Sequence, residues 1–463
     1  MNQKSLTLKI KEIMNSKVLA VTVDFGSTAP FGPRLEAVTV AAAADNPIKV
    51  GLSDSDVEVQ ALLKQLLEGD SLKICFDAKH VLKTLRHNGW NINGRFFDIQ
   101  IADQLLRAGV SRGERDFEKI TEAYNVTEAT TEGKIFALRD VLKQKLAEAQ
   151  LTATAVTEFA VIRSVVAMEL NGMLLNRAET VKLRDADPSG TDYARHIDPF
   201  SGRVHATYNQ LGTDTGRFTC VNPNIHGVKK SWRQCFVAPP GYKLIDGDYC
   251  QQELRILAEI TGDKALLKEF TEDMDIYRSI AAKIFNKPYN MVADTERQVA
   301  KTIAIGLIYG MGANRLHAEL SSYGLTITAP QAEQFKAEFF RQYPKIKSWY
   351  HSKQRANVKE ASSIGGRRRL WASDAPFTEL CNTPIQATGA DILKHAMVEL
   401  SKEIADNGIK LIACVHDEII LEAPAAKAQE VKTLLERVMQ EAGRKYVKKV
   451  PLKVEVEVSD SWH

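Results

Sequence analysis

The sequence predicts a multidomain α/β chain, and three observations carry that prediction. Apolar strands and amphipathic helices alternate over residues 1–150. An Asp-, Pro-, Ser- and Gly-rich stretch interrupts the pattern at 184–202. Beyond it, short apolar strands bear acids at their ends and lead into long helices. At 463 residues the chain exceeds one small core and suggests two to four domains.

In order, Val18–Val23 and Leu35–Ala43 alternate in apolar character and read as paired strands. Val57–Leu67 reads as a helix and Leu72–Phe76 as a short strand. A second helix, Lys79–His87, closes at Asn88-Gly89. This α/β region is expected to end near residue 150. Val156–Met168 then repeats apolar residues at helical spacing and stops at Asn171-Gly172. RDADPSGTDYARHIDPFSG, residues 184–202, reads as an exposed linker or loop. Strands follow at 203–208 and 242–247. Neither an internal repeat nor a low-complexity segment is evident.

Composition bounds the function loosely. An apolar share of 44% with 26% charge suits a soluble globular protein, and no run of eighteen apolar residues predicts a membrane span. The first residues, MNQKSLTLKIKEIMNSK, lack the apolar centre of a secretory signal. Cys75, Cys220, Cys235, Cys250, Cys381 and Cys414 form no CxxC pair. That argues against zinc and a disulfide framework and fits a reducing cytoplasm. The net charge of +3 decides nothing, because phosphate binding needs a local basic surface. Arg367-Arg368-Arg369 and the run Arg444–Lys453 offer such clusters, though a solvated surface explains the second run as well.

Two acid-bearing segments stand out. In YKLIDGDYCQQELRILAEI a short strand passes Asp248 and becomes a helix with Leu254, Leu257 and Ala258 on one face. In IKLIACVHDEIILEA two apolar runs flank His416-Asp417-Glu418, the pattern of a hairpin with charges at its tip. Acids brought together in apolar surroundings resist ionisation, and a divalent cation removes that cost. Magnesium keeps several waters and takes only one or two protein carboxylates, so two aspartates are enough. A helix cap and a polar turn would also account for these acids taken singly.

In RQVAKTIAIGLIYG, Arg297, Lys301, Ile305 and Tyr309 recur every four residues and form one stripe along a helix. Cations occupy its first half, an apolar then an aromatic surface its second. That order suits a nucleoside triphosphate laid along the helix. A solvated basic face followed by core residues is the simpler alternative for any one helix.

Together these segments resemble the motifs of family A DNA polymerases, the bacterial DNA polymerase I type. Asp248-Tyr249-Cys250-Gln251-Gln252-Glu253-Leu254-Arg255 resembles motif A, Arg297 through Tyr309-Gly310 motif B, and Val415-His416-Asp417-Glu418 motif C. Thr215-Gly216-Arg217-Phe218-Thr219 with Asn222-Pro223-Asn224 is similar to the family's primer–template segment. Asn382-Thr383-Pro384-Ile385-Gln386 is similar to its template-contacting palm helix. The match runs from about Gly202 to Trp462.

The resemblance implies a right-hand palm and fingers preceded by an RNase H-like 3′–5′ exonuclease-type α/β domain. The expected division is 1–150 exonuclease-like, 151–201 helical connector with a vestigial thumb, 202–270 palm, 271–345 fingers and 346–463 palm again. It implies that Asp248, Asp417 and the Tyr249 carbonyl hold two magnesium ions, for which manganese can substitute, with Glu418 a candidate accessory acid. Arg297 and Lys301 would bind the triphosphate, Lys301 also protonating the leaving pyrophosphate. Tyr309, Gln251, Tyr277 and Ile305 would face the nucleotide, and Glu253 would exclude a 2′-hydroxyl. Arg217, Thr215, Asn224, Asn382, Gln386, His416 and Arg367 would contact primer–template DNA. The expected enzyme is a cytoplasmic monomer of bacterial, phage or plasmid origin that uses dNTPs, with no partner specified.

The sequence departs from that pattern in three places. Ile305 stands where Phe or Tyr is usual, and Tyr277 replaces a frequent His. In the N-terminal region Phe97-Asp98 with Leu105-Leu106 fits the exonuclease segment and Asp24 is present. Gly26 and Val81, however, occupy two other acids' places. Asp140, four residues after Phe136, and Asp77, one helical turn before Val81, are weak substitutes, so a catalytically dead domain is expected. Finally, about thirty residues separate Asn171-Gly172 from Gly202-Arg203, where the family carries a helical thumb, and too few remain to build one. Weak, salt-dependent DNA binding and short synthesis bursts are expected, and no 5′-nuclease domain. An RNA polymerase on the same palm, against which Glu253 argues, and a non-catalytic nucleic-acid binder are the competing readings. The sequence does not choose among gap filling, lesion bypass and plasmid or phage replication.

Overall fold

The computed structural model describes residues 2–29, 32–110, 113, 115–186, 191–322, 327–354, 358–404 and 407–463. Helix α1 (Gln3–Ile13) starts at Asn2, whose side chain accepts from Ser5 N–H, and buries Leu6, Ile10 and Ile13. The strands that follow are β1 (Val18–Ala29), β2 (Gly32–Ala41), β3 (Ile48–Gly51), β4 (Leu72–Cys75) and β5 (Phe96–Asp98). They form one sheet in the order β3-β2-β1-β4-β5. β1, β2 and β3 pair antiparallel, whereas β4 runs parallel to β1 and β5 parallel to β4. Leu19, Val21, Val38 and Val40 share one buried face, as the period-2 alternation of a strand requires.

Helices α2 (Val57–Glu68), α3 (Ala78–His87), α4 (Ile99–Arg107), α5 (Phe117–Ala123), α6 (Thr131–Glu148) and α7 (Thr152–Asn171) complete this core. α7 is apolar around most of its circumference and is correspondingly central. Near its end Glu169, 2% exposed, accepts from Lys83 Nζ (2.6 Å), Lys79 Nζ (3.4 Å) and Tyr208 N–H (2.9 Å). One buried carboxylate thus ties α3 and α7 to the strand that follows.

Next come β6 (Met173–Leu174), α8 (Arg177–Ala186), β7 (Arg203–Val204), β8 (Thr207–Asn209), β9 (Thr219–Val221) and α9 (Lys230–Arg233). Of the linker expected at 184–202, residues 187–190 lie outside the described residues. The rest holds the end of α8 and a single 3₁₀ turn, Tyr193–His196. β10 (Tyr242–Tyr249) then leads into α10 (Gln252–Thr261), α11 (Lys264–Thr271), α12 (Ile276–Ile284) and α13 (Asp294–Ile308). Helices α14 (Ala313–Ser322), α15 (Ala329–Gln342) and α16 (Pro344–Lys353) follow. A small hairpin, β11 (Glu360–Ser362) and β12 (Arg368–Leu370), precedes the long α17 (Phe377–Glu403). The chain ends with β13 (Lys410–Val415), β14 (Glu418–Pro424), α18 (Ala428–Arg444) and β15 (Val454–Ser459). The second main sheet has the order β13-β14-β10-β15.

Contact density divides the chain into two compact units, residues 1–247, 397–434 and 456–463, and residues 248–396 and 435–455. The first is built on the sheets, and the second is mainly helical, with Leu257, Ala300, Ile303, Leu307, Phe339 and Ile346 in its core. Among the described residues, no helix is long and apolar enough to cross a membrane.

Candidate functional site

The stripe expected on α13 is present. Val299, Ala300, Ile303, Ala304, Leu307 and Ile308 are buried, while Arg297, Lys301, Ile305 and the C-cap Tyr309 stay half-exposed along one edge. Glu296 reaches back to accept from Ala293 N–H at 2.9 Å and fixes the start of the helix. Asp275 accepts from Arg278 N–H at 3.1 Å as the N-cap of α12, and Arg297 Nε donates to its other oxygen at 2.5 Å. Beneath the stripe lies Tyr277, 7% exposed, its ring centroid 5.6 Å from the Arg297 guanidinium and 5.9 Å from Lys301 Nζ. The Tyr that departs from the family pattern therefore serves as an aromatic floor for both cations.

At the far end of the helix the Tyr309 hydroxyl donates to the Glu253 carboxylate, and Gln386 Nε2 donates to the same hydroxyl at 3.5 Å. The chain turns at Gly310 (φ +74°), where a Cβ would meet Phe377 Cε1 at 2.9 Å. Only glycine fits there. Gln251 lies in the left-handed region (φ 53°), and its buried Oε1 finds no hydrogen-bond partner among the described residues. The same holds for Asn382 Oδ1, one turn before Gln386 on α17. Such orphaned oxygens are open to a ligand.

β10 buries Leu244 and Ile245 and carries Asp248 near its end. The Tyr249 side chain is buried and donates to Met439 O at 2.7 Å, which fixes the backbone whose carbonyl was expected at a metal. Burial, then the neighbouring Glu455 and Asp248 carboxylates, push the Cys250 thiol up to about 12. Glu455 and Asp248 therefore both lie near the end of β10. The expected hairpin is β13–β14, with Val415 paired to Glu418 and His416-Asp417 as its two-residue turn. β14 neighbours β10 in the sheet.

His416 has φ 59°, a left-handed conformation that costs a non-glycine residue about 1 kcal/mol or more. Its ring lies 5.5 Å from that of His226, whose Nε2 is 3.0 Å from Cys414 O. Burial, then the charge of Arg217, hold His416 below the usual imidazole range. Burial and His416 lower His226 to about 4. Arg217 N–H donates to Thr213 Oγ1 at 3.0 Å, and Thr213 Oγ1 lies 3.1 Å from Thr215 Oγ1. Asn224 is exposed, and its side chain accepts from Gly227 N–H at 3.2 Å.

Two expected roles need correction. Arg367 is 3% exposed and its Nε donates to Asp391 at 2.8 Å, so this guanidinium is part of the core rather than a DNA contact. Glu418, 6% exposed, faces Arg233 and accepts from the Trp462 indole, which makes it a structural anchor rather than an accessory acid. Sequence reasoning missed His226, Arg233, Asp275 and Trp462. Only Asp275, an Asp directly before a helix, left a local signal.

The expected donors, the Asp248 and Asp417 carboxylates and the Tyr249 carbonyl, are the oxygen type that a hard cation takes. Among the described residues no group of three or more His, Cys, Asp or Glu gathers.

The N-terminal acids are each engaged by local partners. Asp24 is exposed and paired with Lys49 at 2.6 Å. A Cβ on Gly26 would meet Glu36 Oε1 at 2.3 Å, and Val81 is core. Asp98 is buried and caps two helices, accepting from Ala78 N–H (2.6 Å) and Ile101 N–H (2.8 Å). Burial, and then Asp77, push its carboxyl well above the usual range. Asp77 caps α3, and Asp140 sits exposed against Arg139.

The "POL domain of Pol1 from M. smegmatis complex with DNA primer-template and dNTP" superposes with a TM-score of 0.87 at 22% identity, over 100% of this chain and 99% of that one. The sequence model of DNA polymerase family A matches residues 115–463, and the chain belongs to that family. DNA polymerase I of Aquifex aeolicus is 36% identical over 268 residues, 57% of this chain and 46% of the relative. The thermostable DNA polymerase I of Thermus thermophilus is 33% identical over 337 residues, 68% and 39% respectively. The chain thus spans less than half the length of these relatives.

Proposed function

We propose that the chain is a template-directed DNA polymerase that adds deoxynucleotides to a primer 3′ end. The observation that carries this reading is the half-exposed stripe of α13, two cations on an aromatic floor followed by Ile305 and a Tyr309 held by Glu253 and Gln386. Arg297 and Lys301 would grip the triphosphate. Glu253 would close the space for a 2′-hydroxyl, with Tyr309 beside the new base pair.

Asp248, Asp417 and the Tyr249 carbonyl would hold two divalent cations, magnesium or manganese. When bound, these ions supply charge stabilisation for both the attacking and the leaving oxygens. The primer 3′-hydroxyl would attack the α-phosphorus in line, giving its proton to water as the bond to pyrophosphate breaks, and Lys301 would give the leaving group its proton. Arg217, Thr215, Asn224, Asn382, Gln386 and His416 would meet primer and template.

We further propose that the N-terminal domain does not proofread, since Asp24 is neutralised by Lys49 and Asp98 is spent on helix caps. The short segment after α7 implies low processivity, and the chain would act as a cytoplasmic monomer. Primer extension with deoxy- and ribonucleotides, with and without magnesium, tests the reading. Metal-dependent extension that prefers deoxynucleotides and disappears in Asp417→Ala is expected. Preference for ribonucleotides, or extension unchanged in that variant, would sink it.

A further inference from the structure

The turn that carries Asp417 is strained and pinned on both flanks. Before it, the His226 imidazole holds Cys414 O at 3.0 Å. After it, Glu418 is gripped by a clasp from two remote segments. Arg233, on α9, sets its fork against the carboxylate, with Nη1–Oε1 and Nη2–Oε2 both 3.3 Å. The indole of Trp462, 1% exposed, donates to Oε1 of the same carboxylate. Arg233 also lies 4.0 Å from the centroid of that ring and donates to His463 O at 2.7 Å. Trp462 is itself fixed, its N–H donating to Phe236 O at 2.9 Å and its ring packed edge-on against Phe236.

This is more restraint than a surface hairpin needs. A two-residue turn with positive φ at its first position favours glycine, yet His416 occupies it. A strained residue at a functional turn persists when its surroundings over-determine it, and the clasp is that surrounding. Glu418 adjoins Asp417 in the chain and pairs with Val415 across the turn. Fixing its side chain fixes the backbone from which the Asp417 carboxylate projects.

We infer that Arg233 and Trp462 are positioning residues that aim Asp417 at its cation by clamping Glu418. The inference rests on the metal assignment above. Partners that orient a metal ligand typically govern metal affinity and rate without touching the metal.

The test uses the full chain, Trp462→Phe, which keeps the ring and removes the N–H, and Arg233→Lys, which keeps the charge and removes the fork. Mn2+ binding followed by electron paramagnetic resonance is expected to weaken about 10-fold or more in each variant, with kcat falling and KM for nucleotide changing less than about twofold. Wild-type Mn2+ affinity and kcat in a folded Trp462→Phe would overturn the inference, as would a Mn2+ signal indifferent to Asp417→Ala. Should Arg233→Lys unfold, Trp462→Phe alone decides. If the wild-type chain extends no primer, the polymerase reading fails, while the Mn2+ titration still judges the clasp.

Discussion

The hydroxyl of Tyr309 donates to the carboxylate of Glu253, joining the end of α13 to the first turn of α10. This contact makes the proposed sugar filter a two-residue device. Glu253→Ala is expected to lower the preference for deoxy- over ribonucleotides by roughly 10- to 100-fold, the range set by a small steric element in a substrate pocket. The ratio of kcat/KM for the two substrates checks it. An unchanged ratio would remove Glu253 from sugar selection.

Asp275 holds Arg297 at 2.5 Å while capping α12. Because Asn also caps well, Asp275→Asn should leave the helix intact and loosen only the guanidinium. We expect KM for dNTP to rise about 10-fold, the scale of one charge-assisted hydrogen bond. Tyr277→Phe, which keeps the ring face, should match wild type, whereas Tyr277→Leu should not.

Arg367 and Asp391 form a buried pair, and Ser363 Oγ also donates to Asp391 at 2.5 Å. Asp391→Ala takes a carboxylate from beside a buried guanidinium and should destabilise the protein by about 3–5 kcal/mol. Thermal melting measures this. Arg367→Ala should likewise melt early, and a fully stable variant with weakened DNA binding would restore Arg367 as a DNA contact.

His226 sets a pH dependence whose sign follows from its lowered value. The unfolded imidazole takes up a proton near 6.5, whereas the folded one waits until about 4. Between those values the unfolded state binds more protons, so stability falls as pH drops through the window. The contribution, complete above 6.5, is on the order of 3 kcal/mol. Urea midpoints from pH 4 to 7 should slope less in His226→Gln than in wild type, and identical slopes would refute the assignment.

A mismatched primer 3′ end should persist in the presence of magnesium, because Asp24 is paired with Lys49 and Asp98 caps two helices. Lys49→Ala should not restore trimming, since Asp98 remains committed to its caps. Release of mononucleotides from either protein would reverse this conclusion.

The parts of the site that were legible in the sequence are those built from local periodicity. The α13 stripe follows from spacing of four, and the β13–β14 hairpin from two apolar runs around charges. Arg367 was misread because three consecutive arginines look the same whether solvated or buried. Its partner, Asp391, lies on another element, and only the fold brings the two together. The Glu418 clasp was invisible for the same reason, Arg233 lying 185 residues before Glu418 and Trp462 44 after it. α1 left a readable pattern in Leu6, Ile10 and Ile13, overlooked within a polar stretch.

Helix α8 has ten residues, which at 1.5 Å each makes it about 15 Å long. A turn of duplex is about 34 Å, more than twice the length of this helix. On the proposed reading, the chain lets go of its product often, and its output follows how quickly it finds the next primer end. Each lost phosphate contact steepens nothing in the chemistry but shortens the stay, so ionic strength would act as the throttle. Such an enzyme suits brief errands on short gaps, where supply of free ends sets the pace.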